Sequence, residues 1–264
     1  MYNKEDGQML LAIDVGNTNT VFALFRDDNI LYSWRCATEA SRSVDEYAVF
    51  LNQLFELESI KWSDIADIII SSVVPDTDFH LTELCRKNFK IEPLFVTADL
   101  CKIKTDLDQP KEIGADRIAS ASAVIAHYKL PAVVIDFGTA TTFDVIDENG
   151  VYLGGVIAPG IRLSVEALTL RAAKLPRIKI EKPDNVIGKN TTQAMQSGMY
   201  WGYIGVIDTI IGKIKTELNT DVFVLATGGL APLYAQSTDN IDVVDGDLIL
   251  KGLLEIYKKV KANA

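Results

Sequence analysis

Asp14-Val15-Gly16-Asn17-Thr18-Asn19-Thr20 follows one apolar run of the chain, and Asp136-Phe137-Gly138-Thr139-Ala140-Thr141-Thr142 follows another. Each stretch puts an aspartate at the end of a strand, then a glycine that frees the backbone, then hydroxyls able to reach a phosphate. A second apolar run follows each motif, so each reads as the turn of a β-hairpin. A Walker-type loop needs its lysine and a following helix, and neither is present. Asp136 follows Asp14 by nearly half of the 264-residue chain, the spacing that a duplicated half-chain produces. Two such loops on facing domains would grip a nucleoside triphosphate from both sides.

Working outward, strands are expected at Met9–Ile13, Val21–Phe25, Ile30–Arg35, Ile68–Ser71, Leu94–Val96, Ala132–Ile135, Thr142–Ile146 and Val222–Leu225. Val44, Tyr47, Ala48, Leu51, Leu54 and Phe55 recur at helical spacing, and Ala115–His127 is an alanine-rich helix suited to close packing on a sheet. A longer helical pattern runs from about Thr191 to Leu218; its aromatics suit either core packing or a subunit interface. An amphipathic helix from about Asp247 to Lys259 is expected to close the second domain. The segment Gly154-Gly-Val-Ile-Ala-Pro-Gly160 is expected to be irregular, with glycines for close backbone approach and Pro159 to stiffen the turn.

The composition, 48% hydrophobic and 23% charged, is that of a globular protein with a sizeable core. A net charge of −10 opposes the broad electrostatic term of nucleic-acid binding, so no nucleic-acid partner is expected. The most basic stretch, Arg171 to Lys182, reads as a solvated connection. Cys36, Cys85 and Cys101 are odd in number and lack CxxC spacing, which fits reduced thiols. His80 and His127 form no zinc-ligand pattern. The acidic N-terminal lead lacks the features of a signal peptide, and no stretch reaches the roughly 18 apolar residues of a membrane span. A cytoplasmic location without membrane contact is therefore expected; the first strand needs nothing before Met9.

Five motifs occur in order: Asp14-Val-Gly-Asn-Thr, Gly114-Ala-Asp-Arg117, Asp136-Phe-Gly-Thr, Gly154-Gly-Val-Ile-Ala-Pro-Gly160 and Ala226-Thr-Gly-Gly229. Together they resemble the type III pantothenate kinases, from Met9 to the C-terminal helix. The resemblance implies an α/β fold of the acetate kinase, sugar kinase, Hsp70 and actin superfamily. That fold has two duplicated ribonuclease-H-like domains, here 9–117 and 118–264, with a nucleotide cleft between them. It also implies ATP-dependent phosphorylation of pantothenate to 4′-phosphopantothenate, the first step of coenzyme A biosynthesis. Family members are homodimers that need a divalent ion such as Mg2+ and a monovalent one, K+ or NH4+.

Residue roles follow from the same resemblance. Asp14 would hold magnesium through water, and the stretch Val15, Gly16, Asn17, Thr18, Asn19, Thr20, Val21 would cradle the phosphates; the alternative for this stretch is a tight turn alone. Asp116 would be the base, orienting the alcohol and accepting its proton late, at a helix start that favours a carboxylate. Alternatively Asp116 caps that helix and Arg117 pairs with a surface acid. Arg117 suits the pantothenate carboxylate or the transferred phosphate through its paired donors. Substrate contacts map onto Gly114, Ala115, Asp116, Arg117 and Thr191, although Thr191 or Thr192 could instead cap the long helix. Leu107 stands seven residues before the Gly-Ala-Asp-Arg run, where many relatives carry a tyrosine, so this pocket loses a hydroxyl and a ring face. Asp136 would hold the monovalent cation, Thr139 would contact phosphate, and Gly228 and Gly229 would admit adenosine. Arg162 is a lesser candidate for phosphate or interface contact.

Two other readings stay open at this point: a kinase for another small-molecule acceptor, and a non-enzymatic accessory regulator of the same fold. The Gly-Ala-Asp-Arg run and the short chain argue against the first. The presence of Asp14, Asp116 and Asp136, together with the acidic balance, argues against the second.

Overall fold

The computed structural model describes residues 9–172 and 174–263. The extension ahead of the first strand lies outside the described residues. The chain divides into two compact units. One comprises everything described up to Ile103, with Gln109–Ala126 and the segment from Ile249; the other is Lys104–Asp108 with His127–Leu248.

In the first unit the order is β1 (Met9–Val15), β2 (Asn19–Arg26), β3 (Asn29–Ala37), α1 (Val44–Leu57), β4 (Ile65–Ser72), α2 (Pro75–Leu84), β5 (Leu94–Phe95), α3 (Ala98–Cys101) and α4 (Ala115–His127). The second unit repeats the strand pattern with β6 (Ala132–Phe137), β7 (Ala140–Ile146) and β8 (Tyr152–Pro159). It continues through α5 (Ile161–Arg171), α6 (Thr191–Leu218), β9 (Phe223–Thr227), α7 (Ala231–Ala235) and β10 (Val243–Val244). The last helix, α8 (Leu248–Ala262), belongs with the first unit.

The first sheet has the order β3-β2-β1-β4-β5 and the second, in the same sense, β8-β7-β6-β9-β10. In each, three antiparallel strands are followed by two parallel ones. Strand for strand, β1 corresponds to β6, which puts Asp14 and Asp136 at equivalent places. The duplication read from the two motifs is thus a duplication of topology.

Burial explains the central strands. Every residue of β1 except Asp14 is buried, as is every residue of β6 except Asp136. Such continuous apolar runs suit strands covered on both faces, and each buried Leu, Ile or Val contributes roughly 1.5–3 kcal/mol. Tyr47, Leu51 and Phe55 of α1 pack with Ile13, Phe22 and Ile70 of the first sheet. In the second unit, Tyr200, Ile207 and Ile211 of α6 pack with Ile135, Phe143 and Val224, and the Tyr200 and Tyr234 rings stack at 5.3 Å.

A capping box starts α1. The Ser43 hydroxyl accepts from the Glu46 N–H at 3.3 Å, while the Ser43 N–H donates to Glu46 Oε2 at 2.8 Å. These donors hold the Glu46 carboxyl below its ordinary range, the Ser43 backbone bond being the main cause. Ser43→Ala removes half of the box and is expected to lower stability by about 1 kcal/mol in a urea titration.

Several expectations need correction. Gly154–Gly160 is not irregular: Gly154–Pro159 lies in β8, an edge strand paired along β7. Glycine and proline are tolerated there because an edge strand leaves one side of its backbone unpaired. The C-terminal helix does not close the second unit; it packs on the first. Tyr257 Oη donates to Asp67 at 2.7 Å, Lys261 pairs with Asp67 at 2.9 Å, and Lys258 pairs with Asp28 at 2.7 Å. A Cβ on Gly252 of α8 would lie only 1.8 Å from the Ala119 carbonyl of α4, so these two helices meet backbone to backbone. The two units therefore share the chain in several alternating segments, where a single boundary after Arg117 was expected. Helices α2, α3, α5 and α7 and strand β10 had not been anticipated. The basic stretch behaves as expected: Arg171, Lys174, Arg177, Lys179 and Lys182 are all exposed along a connection.

Candidate active site

In the first unit, β1 and β2 form a hairpin whose turn is closed by the Gly16 N–H donating to the Asn19 carbonyl at 3.0 Å. Asp14 is half-buried at the carboxyl end of β1, while Asn17, Thr18 and Asn19 are exposed at the tip. The Thr38 N–H donates to the Thr18 carbonyl at 3.0 Å, and the Thr20 and Thr38 hydroxyls are 2.8 Å apart. This bracing faces Thr20 inward: its side chain and that of Val15 are fully buried, and Val21 is half-buried. Only the exposed tip and the backbone of this stretch can meet a ligand directly.

The end of β4 runs beside this loop. Ser71 is in register with Asp14, and the Val73 N–H donates to the Val15 carbonyl at 3.0 Å. Val73 is in turn the apolar neighbour of Gly114, 3.8 Å from where a Cβ would stand. Asp14 and the Gly114-Ala-Asp-Arg run are thus both brought beside the end of β4.

Asp116 lies in the first turn of α4, where unpaired amides and the helix dipole favour a carboxylate. Its Oδ1 accepts from the Arg117 N–H at 2.8 Å and folds back over Gly114. A Cβ on Gly114 would meet Asp116 Oδ1 at 2.6 Å, so glycine there leaves room for the carboxylate. Asp116 and Arg117 are each half-buried, and Ala115 is buried.

Asp78 of α2 was not singled out from the sequence, because an aspartate in the first turn of a helix is ordinary. Here its Oδ1 is buried without a hydrogen-bond partner. Burial raises its pKa, partly offset by the Ser72 hydroxyl. A carboxyl whose folded pKa lies above its unfolded value favours the fold at low pH and loses that advantage as pH rises. Asp78→Asn is therefore expected to raise Tm slightly at neutral pH and to flatten its dependence on pH between the carboxyl range and neutrality, read by thermal melts.

In the second unit, Asp136 is the last residue but one of β6, in register with Thr142 of β7 and Thr227 of β9. Gly228, at φ +88°, brings its backbone against this carboxylate: a Cβ would lie 2.7 Å from the Phe137 carbonyl and 2.8 Å from Asp136 Oδ1. No side chain fits there. Gly138, Thr139 and Gly229 are exposed. The Gly160 N–H donates to the Thr139 carbonyl at 3.1 Å, and a Cβ on Gly160 would stand 2.0 Å from that oxygen. Gly160 thus clamps the loop to the start of α5, a role the sequence hinted at through its glycines. Gly160→Ala must push that backbone apart, and a loss of about 2–4 kcal/mol is expected on chemical denaturation.

Behind the loop, Asp144 is buried and accepts from Tyr152 Oη at 2.6 Å and Thr142 Oγ1 at 3.2 Å. The Leu107 N–H donates to Thr105 Oγ1 at 3.1 Å, and Leu107 Cδ2 lies 3.3 Å from where a Cβ of Gly154 would stand. Leu107 therefore packs against β8. Thr191 is exposed at the first position of α6, and neither it nor Thr192 caps the helix: Asn190 does, accepting from the Gln193 N–H at 2.9 Å. Gly188 fits under this turn, since a Cβ would lie 2.3 Å from the Ala194 nitrogen. Arg162 is exposed in the first turn of α5.

Among the described residues, no group of three or more His, Cys, Asp or Glu could by itself hold a metal ion. The half-buried Asp14 carboxylate offers one hard oxygen ligand. That suits a magnesium ion bound by one carboxylate together with water and phosphate oxygens. Asp136 offers a carboxylate next to the Phe137 carbonyl inside the Gly228 cradle, an all-oxygen set that suits a hard monovalent cation.

A model of a family described as type III pantothenate kinase matches residues 10–213. A type III pantothenate kinase from Paramagnetospirillum magneticum is 52% identical over 253 residues, covering 95% of this chain and 97% of that protein. One from Halalkalibacterium halodurans is 48% identical over 255 residues, covering 95% and 99%. Among solved structures, a putative Baf family transcriptional activator from Campylobacter jejuni superposes with a TM-score of 0.60 at 23% identity, covering 96% of this chain and all of that one. Component A of the (R)-2-hydroxyglutaryl-CoA dehydratase of Acidaminococcus fermentans gives 0.54 at 15% identity, covering 96% of this chain and 99% of that one. At these identities the two structures speak to the fold alone.

Proposed function

This chain belongs to the type III pantothenate kinase family, and from that premise we propose which of its residues carry the reaction. The protein transfers a phosphoryl group from ATP to pantothenate, as a kinase of coenzyme A biosynthesis. Such a transfer asks for positioning and charge neutralisation more than covalent chemistry. The observation that carries the assignment is the pair of equivalent strand ends, Asp14 on β1 and Asp136 on β6, each opening a glycine-containing hairpin.

Asp14 would hold magnesium, which would supply charge neutralisation for the transfer. The tip Gly16, Asn17, Thr18 and Asn19 meets the phosphates with backbone and side chain, while Val15, Thr20 and Val21 brace it from within. Asp116 orients the primary alcohol and accepts its proton late, since an alcohol is far too weak an acid to be deprotonated beforehand. Gly114 keeps that carboxylate in place, and Arg117 offers paired donors to the substrate carboxylate. Thr191 contacts pantothenate through a hydroxyl that capping does not use, and Leu107 shapes the pocket by its apolar side chain.

Asp136 holds K+ or NH4+, Thr139 contacts phosphate, and Gly228 and Gly229 give adenosine close access to the backbone. The protein works as a homodimer in the cytoplasm. Support for the dimer comes from apolar side chains left exposed on the second unit, Ile157 at 66%, Leu163 at 46% and Leu170 at 82%. Gly198, Gly202 and Gly205 add an exposed small-residue face on α6. No helix among the described residues is long and apolar enough to cross a membrane.

An acceptor panel tests the reading. With ATP and magnesium, pantothenate is expected to be phosphorylated far faster than sugars or simple carboxylates. A sugar turned over faster than pantothenate would reject it. Sedimentation of the purified protein reads the dimer directly, and a monomer at micromolar concentration would reject that part.

A further inference from the structure

A cavity of about 400 Å³ opens between α3, α4 and α8 of the first unit. Leu100, Cys101, Ser122, Ile256, Lys259 and Val260 form its wall. None of them belongs to the motifs discussed above, and Ser122 stands nearly two turns along α4 from Asp116.

Three observations give this cavity the character of a ligand site. First, Ser122 is only 5% exposed, lines the cavity, and its hydroxyl makes no hydrogen bond among the described residues. The residue is buried but its hydroxyl opens on the cavity, so it is free to donate to a molecule there. Second, the charge at the rim is uncompensated. On α8, Lys258 and Lys261 pair with Asp28 and Asp67, whereas the Lys259 ammonium has no carboxylate within ion-pair range among the described residues. Asp99, the rim's one acid, is already paired with Lys111 at 3.1 Å. A locally basic rim on a chain of net charge −10 favours a small anion over a cation. Third, Leu100, Ile256 and Val260 supply an apolar wall. The Cys101 thiol extends that wall, because burial pushes its pKa up to about 11 and keeps it neutral despite the opposing pull of Lys259.

We propose that this cavity is a second ligand site, taking a small organic monocarboxylate whose head is held by the Lys259 ammonium and the Ser122 hydroxyl. Its carbon chain lies along Leu100, Ile256 and Val260.

Cys101 serves as a local reporter. The full-length protein is labelled with N-ethylmaleimide at mildly alkaline pH, and modification of Cys101 is followed by peptide mass spectrometry against increasing octanoate. A ligand of about ten heavy atoms should protect Cys101 saturably in the millimolar range. Octanol, with the same chain and no charge, should protect far less. Lys259→Glu, an exposed position, should weaken protection about tenfold by reversing the charge. Ser122→Ala should weaken it about threefold to tenfold by removing the donor. Labelling of Cys101 that octanoate leaves unchanged up to about 10 mM would overturn the proposal. So would equal protection by octanol, or full protection in both variants.

Discussion

Asp116→Asn lowers kcat for pantothenate phosphorylation by about 10²–10⁴-fold, the range that a positioned proton acceptor contributes, and leaves ATP binding within about threefold. The substitution isolates the chemistry. An amide has nearly the shape of the carboxylate, and its oxygen can still accept the 2.8 Å bond from the Arg117 N–H. The glycine at 114 leaves the same room for it. What it lacks is the capacity to take up the alcohol's proton and the charge favoured in the first turn of α4. Steady-state kinetics with a parallel nucleotide titration reads the two effects separately. Turnover close to that of the unaltered protein would remove Asp116 from the role of base.

The second large effect is expected at Asp136. Asp136→Asn abolishes or greatly weakens activation by potassium, with kcat in potassium falling towards its value in sodium by about 10-fold or more. The carboxylate faces the Gly228 backbone and the Phe137 carbonyl at a spot where a Cβ would find no space, so the neutral amide changes charge with little change of shape. A cation held there would offset phosphate charge, and losing the negative partner would weaken its binding. Activity measured against potassium concentration is the readout. An unchanged potassium response would move the cation elsewhere.

How far the sequence could be read depended on the physical signal each element carries. The hairpins at Asp14 and Asp136 were legible because continuous apolar runs flank turn residues on both sides, α4 because it is rich in alanine, and α6 because its apolar pattern persists over many turns. Strand β8 was not, since Gly154, Gly155 and Pro159 mimic a loop when only the edge position makes them tolerable. Helix α5 leaves Leu163, Leu168 and Leu170 exposed, so it lacks the stripe that marks a helix packed on a core. Strands β5 and β10 span two residues each, too short for any period.

Sequence order also misled for α8. Amphipathicity showed that it would pack, but not that it would return to α4 through Gly252 and Ala119. The same limit applied at the site. The motif glycines pointed to close backbone approach, yet the partners of Gly160, Gly188 and Gly228 are distant in sequence. Thr20 and Val15 read as parts of a phosphate loop, whereas their side chains brace it from inside. Asp78 and Ser122 gave no signal at all, because what distinguishes them is made by the fold: a buried carboxyl oxygen without a partner at Asp78 and a cavity beside Ser122.

The most direct measurement is formation of 4′-phosphopantothenate from ATP and pantothenate by the purified protein with magnesium, in potassium and, separately, in sodium. Product that forms rapidly in potassium and slowly in sodium is the predicted result, joining the kinase reaction to a monovalent-cation loop at Asp136. No product in either salt, from protein shown by its melting transition to be folded, would contradict the account.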